Sequence, residues 1–160
     1  MADVRLANLD DSADQAAIIE LLDMYCRDEF GDGAPLSDEA RLNLIPGLKA
    51  HGGSKVFLAF DRSVAVGLAI CFAGFSSFKG KPLLNIHDIA VRPESRGQGV
   101  GRALLDAISR EAQRLGCCKV TLEVRSDNER AKALYASEGF AGTDPQTWFW
   151  TKPLTRPDTH

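Results

Sequence analysis

The 160 residues predict a single α/β unit. Three observations lead there. Apolar runs of strand length alternate with longer amphipathic stretches, Gly and Pro clusters mark the boundaries, and a glycine-rich turn joins an apolar strand directly to an amphipathic helix. A chain of this size buries about two thirds of its unfolded surface, enough for a core without staples. One domain over residues 1–160 is therefore expected, and no repeat or low-complexity tract interrupts it.

Residues 4–7 alternate enough for a first strand. Ser12-Ala13-Asp14-Gln15 then reads as a capping box opening a helix that contains Ala16, Ile19, Leu22, Met24 and Cys26. Gly31-Asp32-Gly33-Ala34-Pro35 breaks the chain, and Ser37-Asp38-Glu39 caps a second helical stretch. Pro46 and Gly47 are expected to interrupt that stretch, since proline has no N–H for the helix ladder. Residues 56–60 and 63–73, joined at Asp61-Arg62, predict a hairpin, with Phe72, Phe75 and Phe78 near the end of its second strand. A strand over 83–91 follows. The helix from Gly99 to about Leu115 carries Leu104, Leu105, Ile108, Ala112 and Leu115 on one stripe, and Gly116 ends it. Residues 119–124 predict the next strand and 128–137 the last helix, with Gly139 as its left-handed cap. Phe140 and residues 146–152 are read as closing strands, and 155–160 as a frayed tail.

Composition narrows the function classes. With 44% hydrophobic and 26% charged residues the chain reads as an ordinary globular domain, and no apolar run reaches the roughly 18 residues that span a bilayer. The N-terminus lacks a basic region followed by an apolar core, so a cytoplasmic location is expected. A net charge of −3 and a pI near 5.6 argue against a nucleic acid partner, because phosphate contacts need a basic field. Cys26, Cys71, Cys117 and Cys118 show no C-x-x-C spacing and read as reduced. His51, His87 and His160 are scattered, so no metal is implied.

The segment 88–105 is the most specific feature. A helix start leaves about four backbone N–H groups unpartnered and carries roughly half a positive charge, so it receives an anion without a metal. Gly97, Gly99 and Gly101 let the main chain approach phosphate oxygens, and Arg96 and Arg102 add charge at the edges. A pyrophosphate cradle is the reading. A dinucleotide fingerprint fails because Arg102 stands where its third glycine would fall, and no Lys-Ser or Lys-Thr pair supports a nucleoside-triphosphate loop.

Arg96-Gly97-Gln98-Gly99-Val100-Gly101 matches the [QR]-x-x-G-x-[GA] pattern of the GNAT family of N-acetyltransferases. The segment Asn128 to Phe140 resembles that family's N-x-x-A-x-x-[LF]-Y-x-x-x-G-F block at the expected separation. The resemblance covers residues 54–152 closely and 1–53 only in element order. It implies the GNAT fold, a mixed central sheet with helices on both faces. It also implies acetyl-CoA as donor, with the cradle 96–102 on its pyrophosphate, and Ile89 and Val91 pairing with the pantetheine through main-chain groups of a splayed strand.

Acetyl transfer from a thioester needs a neutral amine, a stabilised oxyanion and a proton for the departing thiolate. Tyr135 lies seven residues after Asn128 and four after Ala131, on one helical face, and by resemblance it is the general acid. Asn128 reads both as a helix cap and as a pantetheine contact. His87 and Asp88 are neighbours on one strand, so alternation points them to opposite faces. In related acetyltransferases the pattern L-E-D-[LF]-[FY]-V aligns with residues 86–91 and puts His87 where the first acid stands. An imidazole is suited to accept a proton near neutral pH, so His87 is the candidate base and Asp88 is read as structural or as orienting the loop.

Asp28, Glu29 and Asp32 cluster beside Tyr25 and Phe30, where the family's amine pocket lies, and would suit a cationic acceptor. Trp148, Phe149 and Trp150 alternate on the closing strand, with one face for the core and the other for the pocket or a homodimer contact. The expected activity is acetylation of a primary amine of a small molecule by direct attack in a ternary complex. The competing readings are a non-catalytic acyl-CoA sensor and a protein acetyltransferase.

Overall fold

A computed structural model of the chain describes residues 2–154; the expected tail at 155–160 lies outside them. Five strands form one open sheet in chain order: β1 (Asp3–Leu6), β2 (Ser54–Asp61), β3 (Val64–Ser76), β4 (Lys81–Val91) and β5 (Val120–Leu122). The first four pair antiparallel and β5 joins β4 in parallel. Helices α1 (Ser12–Arg27) and α2 (Asp38–Ala50) cover one face, and α3 (Val100–Arg114) and α4 (Glu129–Ser137) the other.

Strand alternation decides which residue serves which layer. Val56, Leu58, Leu68 and Ile70 pack against Ile18, Leu21, Ile45 and Leu48 of the first helix pair. Their neighbours Phe57, Ala59, Ala69 and Cys71, with Leu84 and Ile86, pack against Leu104, Leu105 and Ile108 of α3. Burying side chains of this size stabilises by roughly 1.5–3 kcal/mol each, so both faces of the sheet contribute.

Four local expectations are corrected. Asp11, not Ser12, caps α1: its carboxylate accepts from the Asp14 N–H at 3.0 Å. Asp14 is buried beneath that cap and accepts both Arg5 nitrogens at 2.7 Å, which holds its carboxyl below the usual range. Helix α2 runs unbroken through Pro46. Proline forfeits one ladder bond, to the carbonyl on the turn of exposed Leu42, while Ile45 and Leu48 on either side anchor the helix in the core. β5 is three residues, not six. Finally, no described residue after α4 pairs with the sheet, and Trp148, Phe149 and Trp150 are 78, 74 and 87% exposed. Aromatic alternation fits a half-buried sheet surface, but it needs a ladder to join, and the terminal strand here offers three residues.

Candidate active site

The sheet opens beside β4. β5 pairs with β4 only at Leu84, Asn85 and Ile86, after which β4 runs on through residues 87–91 with no strand on that edge among the described residues, the Val91 carbonyl there being taken by Arg96 Nε at 3.1 Å. Ile89 and Val91 lie along this open edge, with their side chains against the α3 layer. Unpaired main-chain donors and acceptors facing a crevice are what an extended, amide-bearing ligand can pair with.

At the end of β4 a 3-10 turn, Pro93–Ser95, leads to Arg96, Gly97 (φ 76°), Gln98 and Gly99 (φ 83°), which is the residue before α3. The other three helices carry a side-chain cap, from Asp11, Ser37 and Asn128, and each has an acid in its first turn. α3 has neither. Its first N–H groups and the positive end of its dipole therefore lack a counterpart within the chain, and the space over Gly97 and Gly99 is clear for 4 Å around an ideal Cβ position. That arrangement fits a pyrophosphate.

Gly101 does something else. A Cβ there would lie 2.9 Å from Leu134 Cδ2, so this glycine lets α3 and α4 approach, instead of opening space for the anion. The side chains of the turn are engaged within the protein. Gln98 Nε2 donates to the Glu94 carbonyl at 2.9 Å, and Val100 is buried in the core. Arg102 holds the end of α4 through Glu138 at 2.8 Å and the Ser137 hydroxyl at 3.1 Å. Arg96 donates to the Val91 carbonyl at 3.1 Å and to Asp28 at 2.7 Å. The groups left free for an anion are the backbone N–H groups.

On α4, Asn128 accepts from the Ala131 N–H at 3.1 Å and so caps the helix. Its amide nitrogen makes no hydrogen bond to any described residue. Tyr135 is buried against Phe140, ring centroids 6.0 Å apart. Its hydroxyl has no hydrogen-bond partner among the described residues, yet no described buried polar side-chain atom is orphaned, so the oxygen keeps some contact with solvent. Burial, with the nearby Tyr25, pushes its pKa up to about 12. Such a phenol keeps its proton until one is demanded.

His87 and Asp88 are brought together, contrary to strand alternation. The β3–β4 register pairs Ile70 with Asp88 but Cys71 with Ile86, so His87 is the extra residue of a bulge. Two successive residues then take the same side. Asp88 shares the face of its partner Ile70, which belongs to the α1/α2 layer, and the His87 ring lies edge-on to Phe72 of that layer at 5.6 Å. His87 is exposed and Asp88 half-buried. The Asp88 charge reaches α1, where it adds to burial in raising Tyr25.

Asp88 is also the odd carboxyl of the chain. Among the described residues, Asp14, Asp23, Asp28, Glu111 and Asp127 are each held below the ordinary range, first by an arginine hydrogen bond. Asp88 has no such partner; burial raises it, and the neighbouring His87 offsets this in part. Tyr25 and Asp88 are thus the site members that sequence reading underrates. A bulge leaves no mark on periodicity, and Tyr25 looks like one more amphipathic residue of α1.

A carboxyl raised by folding favours the native state below its unfolded titration range, and that advantage disappears as pH rises through its folded value. Wherever Asp88 is ionised it is therefore a burden on the native state. Asp88→Asn should leave the melting temperature unchanged or raise it by about 2 °C at pH 7, with the gap to wild type closing towards pH 4. Thermal melts across that range measure it, and a lower melting temperature for the variant would reveal a stabilising partner.

The three acids between α1 and α2 divide. Asp28 is paired with Arg96, whereas Glu29 and Asp32 are exposed. No group of His, Cys, Asp and Glu among the described residues has the makings of a metal site. No described helix is long and apolar enough to cross a membrane.

The model of the acetyltransferase (GNAT) family matches residues 17–140. A thialysine N-epsilon-acetyltransferase from Bos taurus is 33% identical over 84 residues, which is 52% of this chain and 49% of the relative, so the match spans about half of that enzyme. An uncharacterized N-acetyltransferase of Bacillus subtilis, YhfO, is 29% identical over 129 residues, covering 81% of this chain and 85% of its own. Among solved structures, an aminoglycoside acetyltransferase from an uncultured soil metagenomic sample superimposes with a TM-score of 0.79 at 20% identity, over 96% of this chain and 97% of that one. Acetyl-CoA is the acetyl donor of the family, and the uncapped α3 start beside an unpaired strand edge suits its pyrophosphate and its pantetheine amides. With the family model spanning β2 to β5, the glycine turn and the Tyr135 block together, the chain belongs to the GNAT family of acetyltransferases.

Proposed function

We propose that the protein moves the acetyl group of acetyl-CoA to a primary amine of a small molecule, with both substrates bound at once. The observation that carries this reading is the parting of β4 from β5 between an uncapped helix start and an unpartnered tyrosine hydroxyl. Acetyl-CoA supplies an activated acyl group. The residues around it supply the rest. The N–H groups at Gly97, Gly99 and the first turn of α3 hold the diphosphate, the open edge at Ile89 and Val91 aligns the arm, and Asn128 offers its free amide nitrogen. His87 takes a proton from the amine, Asp88 presents an unpaired carboxylate to a cationic acceptor, and Tyr135 returns a proton to the thiolate sulfur.

Some similar proteins are named for thialysine and aminoglycosides and others for a ribosomal-protein alanine; the first group motivates the small acceptor, and the second keeps a protein acceptor as the competing reading. The unpaired Asp88 and the open Tyr135 hydroxyl speak against a purely sensing role, since neither benefits stability. Free-thiol release from acetyl-CoA over a panel of diamines, amino acids, aminoglycosides and N-terminal peptides tests the reading. Turnover on a small amine supports it, turnover on peptides alone transfers it to a protein acceptor, and silence across the panel favours the sensor.

The role of His87 has its own signature. His87→Ala should lower turnover, roughly 10²-fold near pH 7, while acetyl-CoA affinity stays close to wild type. The deficit should shrink at alkaline pH, where the amine deprotonates unaided. A pH–rate profile in which the deficit is constant would move proton acceptance to Asp88 or to a water chain.

A further inference from the structure

Two arginines, one from each side of the crevice, hold the short loop between α1 and α2. Arg96 follows the end of β4 and reaches Asp28 at 2.7 Å while its Nε donates to the Val91 carbonyl at 3.1 Å. Arg125 follows β5; its Nη1 donates to the Glu29 carbonyl at 3.1 Å and its guanidinium carbon lies 5.5 Å from the centre of the Phe30 ring. Asp127 fixes Arg125 with two bonds of 3.0 and 2.7 Å. The contacts join residues 68 and 96 apart in sequence, so they serve no local turn.

The loop is built to be held. The Asp28 carboxylate accepts the Phe30 N–H on one oxygen and Arg96 on the other, so a single side chain both folds the loop and anchors it. The Gly31 and Gly33 N–H groups donate to the Asp28 and Cys26 carbonyls at 3.0 and 2.8 Å. A Cβ on Gly31 would lie 2.2 Å from the Tyr25 carbonyl, so the loop is seated on the turn of α1 that carries Tyr25. Whatever fixes the loop also fixes Tyr25, which lies within reach of the Asp88 charge.

We propose that residues 28–33 form a strap across the parting of β4 and β5, and that Arg96 and Arg125 are positioning residues which seat the amine acceptor by pinning that strap from both walls. On this assignment the Arg96 side chain serves the acceptor and not the cofactor phosphates, and Asp28 is its anchor and not the counter-ion of the amine. Bidentate geometry explains why arginine stands at 96: one planar fork reaches a carbonyl and a carboxylate at once. The inference rests on the crevice being where acetyl-CoA meets an amine.

The test combines hydrogen exchange with kinetics. Arg96→Gln should raise amide exchange in residues 29–33 about tenfold and the amine KM about fivefold or more, with kcat at saturating amine and the acetyl-CoA Kd within about twofold. Arg96→Lys, which keeps the charge but loses the fork, should fall between. Asp28→Asn, which keeps an acceptor for the Phe30 N–H but loses the charge that holds Arg96, should show the same changes in exchange and KM, and the double variant with Arg96→Gln should add little to either alone. Unchanged exchange in Arg96→Gln would overturn the strap, as would a loss of acetyl-CoA affinity about tenfold or greater with an unaltered amine KM. The exchange arm needs no turnover, so failure of the acetyl-transfer reading and failure of the strap are separable. A variant whose far-ultraviolet spectrum shows misfolding is replaced by Arg125→Gln, for which the same exchange and KM changes are expected and their absence counts against the strap.

Discussion

Tyr135→Phe is expected to lower kcat at least about tenfold while the acetyl-CoA dissociation constant changes less than about threefold, because general acid catalysis is typically worth about 10²- to 10⁴-fold. The geometry makes this a clean substitution. The ring is buried against Phe140 and a phenylalanine keeps that contact. The hydroxyl makes no hydrogen bond to a described residue, so its removal strands no partner there, and stability should hardly move. The raised pKa of about 12 has a sign that matters: the folded phenol outcompetes the unfolded one for its proton. The associated stability is intact below about pH 10 and is lost as pH rises through the folded value. Throughout the neutral range the group is an acid holding its proton. Steady-state kinetics with calorimetry decide the matter, and wild-type turnover by Tyr135→Phe would reduce Tyr135 to a packing residue.

Gly99→Glu should abolish acetyl-CoA binding, weakening it by about 100-fold or more in a protein that still folds. Gly99 has φ 83° and is the residue before the uncapped α3, so a glutamate there sets a negative charge at the helix start reserved for an anion. The left-handed backbone adds a penalty of about 1–2 kcal/mol for a residue with a Cβ. Gly99→Asn isolates that part, since asparagine tolerates this conformation and carries no charge. Near-normal affinity in Gly99→Asn with loss in Gly99→Glu would show electrostatic exclusion, and equal retention in both would sink the cradle. The neighbouring Gly101→Glu is a poorer probe, because its Cβ would meet Leu134 and disturb the contact between α3 and α4.

How much of this was legible varies from residue to residue, for physical reasons. The spacing of Leu104, Leu105, Ile108 and Ala112 announces a helix with a sheet-facing stripe, and all four are buried in the α3 layer. The glycine cluster announces a turn before α3, and there Gly97 and Gly99 both take positive φ. Asn128 announces a cap and makes it. These are local matters, settled within a few residues of chain. At the Asp11 cap and in α2 two local signals compete, adjacent capping residues in the first and, in the second, the packing of Ile45 and Leu48, which outweighs the missing N–H of Pro46.

The sequence by itself determined the α/β class, the order of helices and strands, the glycine turn at the start of α3 and the family to which they belong. Each depends on periodicity or on residue types at fixed spacing. Only the tertiary structure decided that His87 and Asp88 share a face, since that follows from a one-residue offset against β3. It decided that β5 leaves β4 after Ile86, and that the aromatic run at 148–150 stays outside the sheet. It also turned Arg96 and Asp28, read separately as ligands of two different substrates, into partners of each other at 2.7 Å. Register, strand parting and long-range ion pairs are properties of two segments at once, and no window along one segment contains them.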